Sequence, residues 1–229
     1  DKAYLPTKNN EQYLFSKFEI DFPKYHSDAI KIQNENLQKV IKVLCETFNR
    51  YINLVNNSKD ESTKVLFHNL YFPPINFENP LDPQRNVYEK IGNLILWMCD
   101  LLKKLSIFNE ASLIEIVEGW PKNDDLIFNR LKLFVWANSQ SIDKWHIDEH
   151  ITRLSDNFFW SGYIESDIMS VISTQWDSLT KESRSLIEYK IINYRKKYDY
   201  ETDERFIDYK NYQVGRLLNV ISHTKVGLS

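Results

Sequence analysis

The fold class of this chain is decided by residues 37–55, LQKVIKVLCETFNRYINLV. Apolar side chains recur there at steps of three and four, a spacing that places them along one face of an α-helix. They are Leu37, Val40, Ile41, Leu44, Phe48, Tyr51, Ile52 and Val55. The stretch therefore predicts a helix with one buried face, beginning at Ser27 or Asp28 and ending near residue 56.

The same spacing recurs along the rest of the chain, without the alternation of period two that is typical of strands. Further helices are predicted at about 61–71, 84–107, 109–118, 124–138, 148–155, 165–174, 180–198 and 203–223. We predict an all-α fold, either an irregular multi-helix array or an α-solenoid-like segment. Residues 1–229 form one helical domain or fragment, with sub-boundaries near 72–83 and near 119–123, where prolines and a glycine interrupt the helices.

Composition excludes several functional classes. The 229 residues carry 29 Lys and Arg against 32 Asp and Glu, a net charge of −3, so nucleic acid is not predicted as a partner. No apolar run is long enough for a membrane span. The five glycines form no phosphate-binding loop, and no cofactor is predicted. Cys45 and Cys99 lie in apolar helical patterns and are predicted to be reduced, buried thiols of a cytoplasmic protein, with a disulfide as the alternative.

The two ends of the chain predict a fragment of a larger protein. The chain begins without Met, and residues 215–229 end the last helix at Gly227, where a C-cap glycine would sit. Such a cap normally leads into another packed element, and none follows. The last helix is expected to bury five side chains, those of Phe206, Tyr209, Leu217, Leu218 and Ile221.

A zinc-binding pattern, H-x-x-E-H, spans residues 146–150. In enzymes with this pattern, two histidines one helical turn apart bind the metal and the glutamate activates water. Asp148 is a favourable N-cap residue, however, and a helix beginning there would keep His146 and His150 off a common face. Because no third ligand is identifiable, no metal is predicted, and His146 with His150 is the alternative.

Arg216 and His223 lie seven positions apart on the last predicted helix. This spacing resembles the R-x(4–6)-H motif of the all-helical HEPN ribonucleases, in which Arg and His from two protomers face the scissile phosphate. A polar residue usually follows that arginine, whereas Leu217 follows it here. The non-catalytic interpretation is a surface arginine and a histidine that complements the helix dipole. No catalytic residue is predicted, and Arg216 with His223 is the alternative.

Residues 189–198, YKIINYRKKY, mix basic and aromatic side chains, as in surfaces that bind a nucleic-acid backbone and stack its bases. The acidic stretch 199–204, DYETDE, follows at once and cancels most of the positive field. We therefore interpret the run as a solvated helix face with basic residues near its C-terminus.

An ordered series of Leu, Trp and Arg positions runs from about residue 125 to the end. It comprises residues 131–134 (LKLF), Trp145, Trp176 with Leu179, Arg184, Ile187, residues 215–218 (GRLL) and residues 227–229 (GLS). The series resembles the helical array that follows sirtuin-like or STAND-type NTPase modules in large bacterial anti-phage defence proteins. The resemblance implies that a catalytic module lies elsewhere, and that the helical region folds back on it, mediates self-assembly or senses a phage protein.

These observations favour a non-catalytic interaction or sensor region of a larger cytoplasmic bacterial protein in antiviral defence. Its partner would be another protein, other domains of its own chain or a second copy of itself. The expected contact residues are exposed aromatics, namely Phe72, Phe77, Trp120 and Trp160. The alternatives are a HEPN-like ribonuclease that uses Arg216 and His223, and a purely structural helical scaffold.

Overall fold

The computed structural model describes residues 32–57, 91–121, 127–139, 144–161 and 164–228. Nine α-helices and no strand occur in these ranges, which confirms the predicted all-α class. The helices are α1 (Leu37–Asn57), α2 (Ile91–Phe108), α3 (Glu110–Glu118), α4 (Phe128–Asn138), α5 (Lys144–Arg153), α6 (Asp156–Phe159), α7 (Glu165–Gln175), α8 (Lys181–Ile192) and α9 (Asp203–Ser222). No helix in the described ranges combines the length and apolarity needed to span a bilayer.

Several predictions fall on residues 1–31 and 58–90, outside the described part of the chain. They include the helix at 61–71, the start of the helix at 84–107, the sub-boundary near 72–83, and the contact residues Phe72 and Phe77.

Three predicted helix boundaries are wrong. α1 begins at Leu37 rather than at Ser27 or Asp28, because Gln33 has an extended backbone and only a short 3₁₀ helix, Asn34–Asn36, lies between it and α1. α5 begins at Lys144 rather than Asp148, and the Asp148 side chain accepts hydrogen bonds from the Glu149 amide and the Ser183 hydroxyl instead of capping a first turn. α8 ends at Ile192 rather than near Tyr198. It ends early because Tyr194 and Arg195 turn inward and are buried there.

Polar side chains fix the N-termini of α3, α8 and α9. The Asn109 side chain accepts from the Ser112 amide, and the threonine hydroxyls before α8 and α9 each accept from the amide three residues later. Such caps satisfy amides that the helix itself leaves unpaired, and each contributes about 1 kcal/mol to helix stability.

The apolar side chains form two core clusters. The first joins α1, α2 and α3 to one side of α4, and it contains Phe48, Met98, Leu102, Trp120 and Phe128. The second joins the other side of α4 to α5–α9, and it contains Leu133, Trp136, Ile168, Trp176 and Leu217. The division between the clusters therefore falls within α4, whose side chains contribute to both.

The apolar pattern of α4 predicts burial along one face only. In the structure, α4 is buried around its whole circumference. Even Arg130 and Lys132 are buried. The Arg130 Nε donates to the Asp167 carboxylate of α7 at 2.6 Å, and the Lys132 Nζ donates to the Pro121 carbonyl at 3.3 Å. A buried charge needs such a partner because water is excluded.

Both cysteines are unpaired thiols, as predicted. Cys99 is buried in the first cluster. Cys45 is half-buried, and its Sγ accepts a hydrogen bond from the Trp120 indole at 3.2 Å. Burial raises the pKa of Cys45 to about 11 and the pKa of Cys99 well above its usual value, so both lack the thiolate character that a nucleophile requires.

The C-terminal segment does not end in the predicted glycine cap, because α9 already ends at Ser222 and its C-cap residue is His223. Gly227 does adopt a positive φ of 68°, which favours glycine. Its carbonyl accepts from the Trp176 indole at 2.8 Å, and the Asp177 carboxylate accepts from the Val226 amide at 2.9 Å. These contacts hold the segment against the end of α7.

Candidate interaction surface

The last helix, α9, has one buried face. Gln213, Leu217 and Ile221 are buried at steps of four, and the partly buried Phe206, Val214, Leu218 and Val220 pack beside them against the second cluster. This face fixes the rotation of α9 about its axis, and therefore also fixes which side chains point into solvent.

Beside the buried face lies a row of six exposed residues that we call the outer stripe: Arg205, Tyr209, Tyr212, Arg216, Asn219 and His223. They follow one another at steps of four, three, four, three and four. At about 100° of turn per residue, they fall within roughly 80° of the helix circumference. Tyr209 is 48 % exposed and Tyr212 is 59 % exposed. The expectation that Tyr209 is buried in the core is therefore wrong.

Arg216 is the most constrained member of the outer stripe. Its Nη1 donates to the Glu165 carboxylate of α7 at 2.9 Å and to the Tyr212 hydroxyl at 3.4 Å. The guanidinium carbon also lies 5.4 Å from the centre of the Tyr212 ring. Burial raises the pKa of Glu165, and the charge of Arg216 opposes that rise. Arg216 is thus held in place while 44 % of its side chain stays exposed.

His223 ends the outer stripe at the C-cap of α9. Its Nδ1 lies 2.7 Å from the Asn219 carbonyl oxygen. A carbonyl oxygen can only accept, so Nδ1 carries the proton and Nε2 of the neutral ring is a hydrogen-bond acceptor. The histidine also lies at the helix end where a positive charge would be stabilised by the dipole.

The connection between α8 and α9 is fixed by Arg195. Its two terminal nitrogens donate to the two Glu201 oxygens at 2.8 and 2.6 Å, and its guanidinium lies 4.0 Å above the Tyr198 ring. Hydrogen bonding to Arg195 lowers the pKa of Glu201 to about 2. Arg195 is buried. Within the basic and aromatic run at 189–198, this arginine therefore holds the segment that leads into α9 and is not presented to solvent.

The histidines of the zinc-binding pattern do share one helix, since α5 begins before both of them. This removes the argument that a helix starts between them. His150 is largely buried against the Trp136 indole, with ring centres 4.5 Å apart, and burial lowers its pKa to about 3. The side chain of His146 lies outside the described part. Among the described residues, no group of three or more potential ligands comes together.

Trp120 and Trp160 were expected to be exposed and to contact a partner. This expectation is wrong, because both side chains are buried. Trp120 is only 5 % exposed and Trp160 only 7 %. Trp120 packs on Phe128 with ring centres 5.5 Å apart, and Trp160 packs on Tyr194 at 4.4 Å. Both indoles fill the core, where large aromatic side chains contribute most to stability.

The outer stripe was not identified from the sequence, although its signal is present there. Arg and Tyr recur at helical spacing from Arg205 to Arg216, and the six positions share a face once the helix is assigned.

The sequence matches no family model and no curated protein, and the fold matches no solved structure.

Proposed function

We propose that this chain is a non-catalytic protein-interaction region, and that the outer stripe of α9 is its contact surface. The observation that carries the proposal is the exposure of Tyr209 and Tyr212 on α9, beside the buried face of the helix. The fold makes little use of these rings. Tyr and Arg are the residue types that most often dominate the binding energy of protein interfaces.

Pre-organisation supports the same proposal. Glu165 and the Tyr212 hydroxyl already hold Arg216 in one position, and Arg195 with Glu201 fixes the start of α9. A side chain that is ordered before binding loses less conformational entropy when the partner arrives. Arg216 and Tyr212, at the centre of the outer stripe, are therefore ordered before a partner binds.

The ribonuclease alternative uses two members of the outer stripe, Arg216 and His223. Its arginine would have to contact a scissile phosphate, yet the Glu165 carboxylate already accepts from the Arg216 Nη1 at 2.9 Å. A phosphate bound to the same guanidinium would be repelled by the nearby carboxylate charge. This geometry favours the non-catalytic proposal.

The wider role stays a prediction. A place in a larger cytoplasmic bacterial protein of antiviral defence rests on the sequence resemblance alone. The purely structural alternative would leave the outer stripe without a partner, which the following experiment tests.

Photocrosslinking in cells tests the proposal. Benzoylphenylalanine replaces Tyr212 in the full-length protein, and the control carries it in place of Tyr189, a 69 % exposed tyrosine on α8. We expect a protein adduct of one defined mass from position 212 and none from position 189. A second substitution, Tyr209→Ser, should abolish that adduct. Equal labelling at both positions, or no adduct at position 212, contradicts the proposal.

A further inference from the structure

We propose that the partner of the outer stripe is a second copy of this chain, with the two α9 helices packed antiparallel. This inference rests on the proposed function and names its partner. The steps of four and three between stripe residues are those of the contact positions in paired helices. A pair related by a two-fold axis uses the same residues from each copy, so the outer stripe has to complement itself.

The order of residues supplies that complementarity. If the two-fold axis passes beside residue 214, Arg216 of each copy lies over Tyr212 of the other. The Arg–Tyr contact seen within one helix, at 5.4 Å, is then repeated twice between the copies, and such cation–π contacts are favourable. The same register places Tyr209 beside the Asn219 amide of the second copy.

The ends of the outer stripe also match. The same register brings Arg205 to His223 of the second copy. Because the Asn219 carbonyl accepts a hydrogen bond from the Nδ1–H of His223, Nε2 of the neutral ring is an acceptor, and the Arg205 guanidinium offers only donors. The pairing therefore joins a donor to an acceptor at both ends.

Charge along α9 favours the antiparallel over the parallel arrangement. Its acidic residues, Asp203, Glu204 and Asp208, all lie in the first six positions of the helix, and no Asp or Glu follows Asp208 in the chain. Arg205 and Lys210 lie in the same half, so residues 203–212 have three acidic against two basic residues, a net charge of −1, whereas Arg216 and Lys225 are the Lys and Arg residues of 213–228 and give +2. Antiparallel packing brings the acidic end of one copy to the basic end of the other, and it also opposes the helix dipoles favourably.

The area limits the strength of the pair. The 20 residues of α9 span about 30 Å, and a contact about 15 Å wide would bury ~450 Å² on each copy. This is roughly half of the ~800 Å² per partner that is usual in stable complexes. We therefore expect a weak dimer in equilibrium with the monomer.

Sedimentation velocity of the 229-residue chain tests the dimer, at loading concentrations from about 5 to about 500 μM, chosen to bracket a weak interface. We expect reversible dimerisation in the parent chain, and a dissociation constant raised at least about tenfold by Tyr212→Ser, which truncates a central aromatic contact. The matched control Tyr189→Ser should dimerise like the parent. A monomer at every concentration, or equal dimerisation of Tyr212→Ser and the parent, overturns the inference.

Crosslinking of the purified chain tests the direction of packing. Benzoylphenylalanine at position 205 should link to the tryptic peptide 217–225, which contains His223. Within one chain the two positions lie about 27 Å apart along the helix, so this product arises only between copies. Links to the region around Arg205 of the other copy would show parallel packing and overturn the antiparallel arrangement.

The proposed interaction surface and the proposed dimer can be disproved independently of each other. If the purified chain stays monomeric while position 212 labels a protein of different mass in cells, the second copy is wrong and the interaction surface stands. If position 212 gives no adduct in cells and the purified chain is monomeric, both are wrong.

Discussion

At the scale of single residues, His150 has an unusual electrostatic environment. It is buried against Trp136, the charge of Lys132 lies nearby, and no group in the described part of the chain hydrogen-bonds its Nε2. The folded protein therefore holds the ring neutral. Burial lowers the pKa of His150 from 6.5 to about 3, whereas in the unfolded chain the ring titrates normally.

This difference predicts a pH dependence of stability. Between pH 6.5 and pH 3 the unfolded chain binds a proton that the folded protein does not, so stability falls as the pH falls through that window. For a single group, the loss amounts to about 2 kcal/mol between pH 7.5 and pH 5. We expect His150→Leu to remove this part of the pH dependence of the free energy of unfolding, measured by urea titration at each pH. The exposed-histidine control His223→Gln should retain it, and identical pH profiles for His150→Leu and the parent would contradict the assignment.

Single side chains were also the least predictable feature from sequence. Trp120 and Trp160 lie in segments between helices, where no periodicity reports burial, and their indoles turned out to fill the core. Tyr209 lies three positions after Phe206 and shares part of its helix face, so spacing alone allows either environment. A tyrosine fits both because its ring is apolar and its hydroxyl is polar.

At the scale of elements, the sequence predicted most helices because apolar spacing and caps agree. α7 and α9 begin at the predicted residues, Glu165 and Asp203. The errors at the start of α5 and at the end of α8 arose where a tertiary contact overrides a local signal. Asp148 looks like an N-cap, but its carboxylate accepts from Ser183 of α8. Basic residues after Ile192 look like a helix C-terminus, but Arg195 binds Glu201 outside any helix. Local propensity contains no information on such partners.

The two faces of α9 should differ sharply in their effect on stability. Tyr209→Ser and Tyr212→Ser remove exposed rings, and Ser and Tyr have similar helix propensities. We expect each to change the free energy of unfolding by less than about 0.5 kcal/mol, as is usual for surface substitutions. Leu217→Ala, on the buried face, should cost about 2–5 kcal/mol because it leaves a cavity in the second cluster. Urea denaturation at a concentration below that of any dimer measures both, and a loss at Tyr212 comparable to that at Leu217 would mean that the outer stripe belongs to the fold.

At the scale of the whole molecule, α4 joins the two core clusters. Leu131 packs in the first cluster and Leu133 in the second, on opposite sides of one helix. The contacts of Arg130 with Asp167 and of Gln175 with the Trp136 carbonyl, at 2.7 Å, bind α4 to α7. The amphipathic pattern of α4 was visible in the sequence, but its complete burial depends on which helices pack around it.

Because α4 contributes to both clusters, we expect the two to unfold together. Leu131→Ala removes side-chain volume only from the first cluster and should lower the free energy of unfolding by about 2–5 kcal/mol. If unfolding is cooperative, the loss appears equally at Trp120 in the first cluster and at Trp176 in the second, since coincident transitions are the mark of a two-state process. Fluorotryptophan NMR during urea titration resolves the two indoles. Leu133→Ala, which acts from the opposite side of the same helix, is the matched control and should shift both signals in the same way. A Leu131→Ala variant in which Trp120 loses its native signal at a lower urea concentration than Trp176 would show that the clusters unfold separately, and that α4 connects them without coupling them.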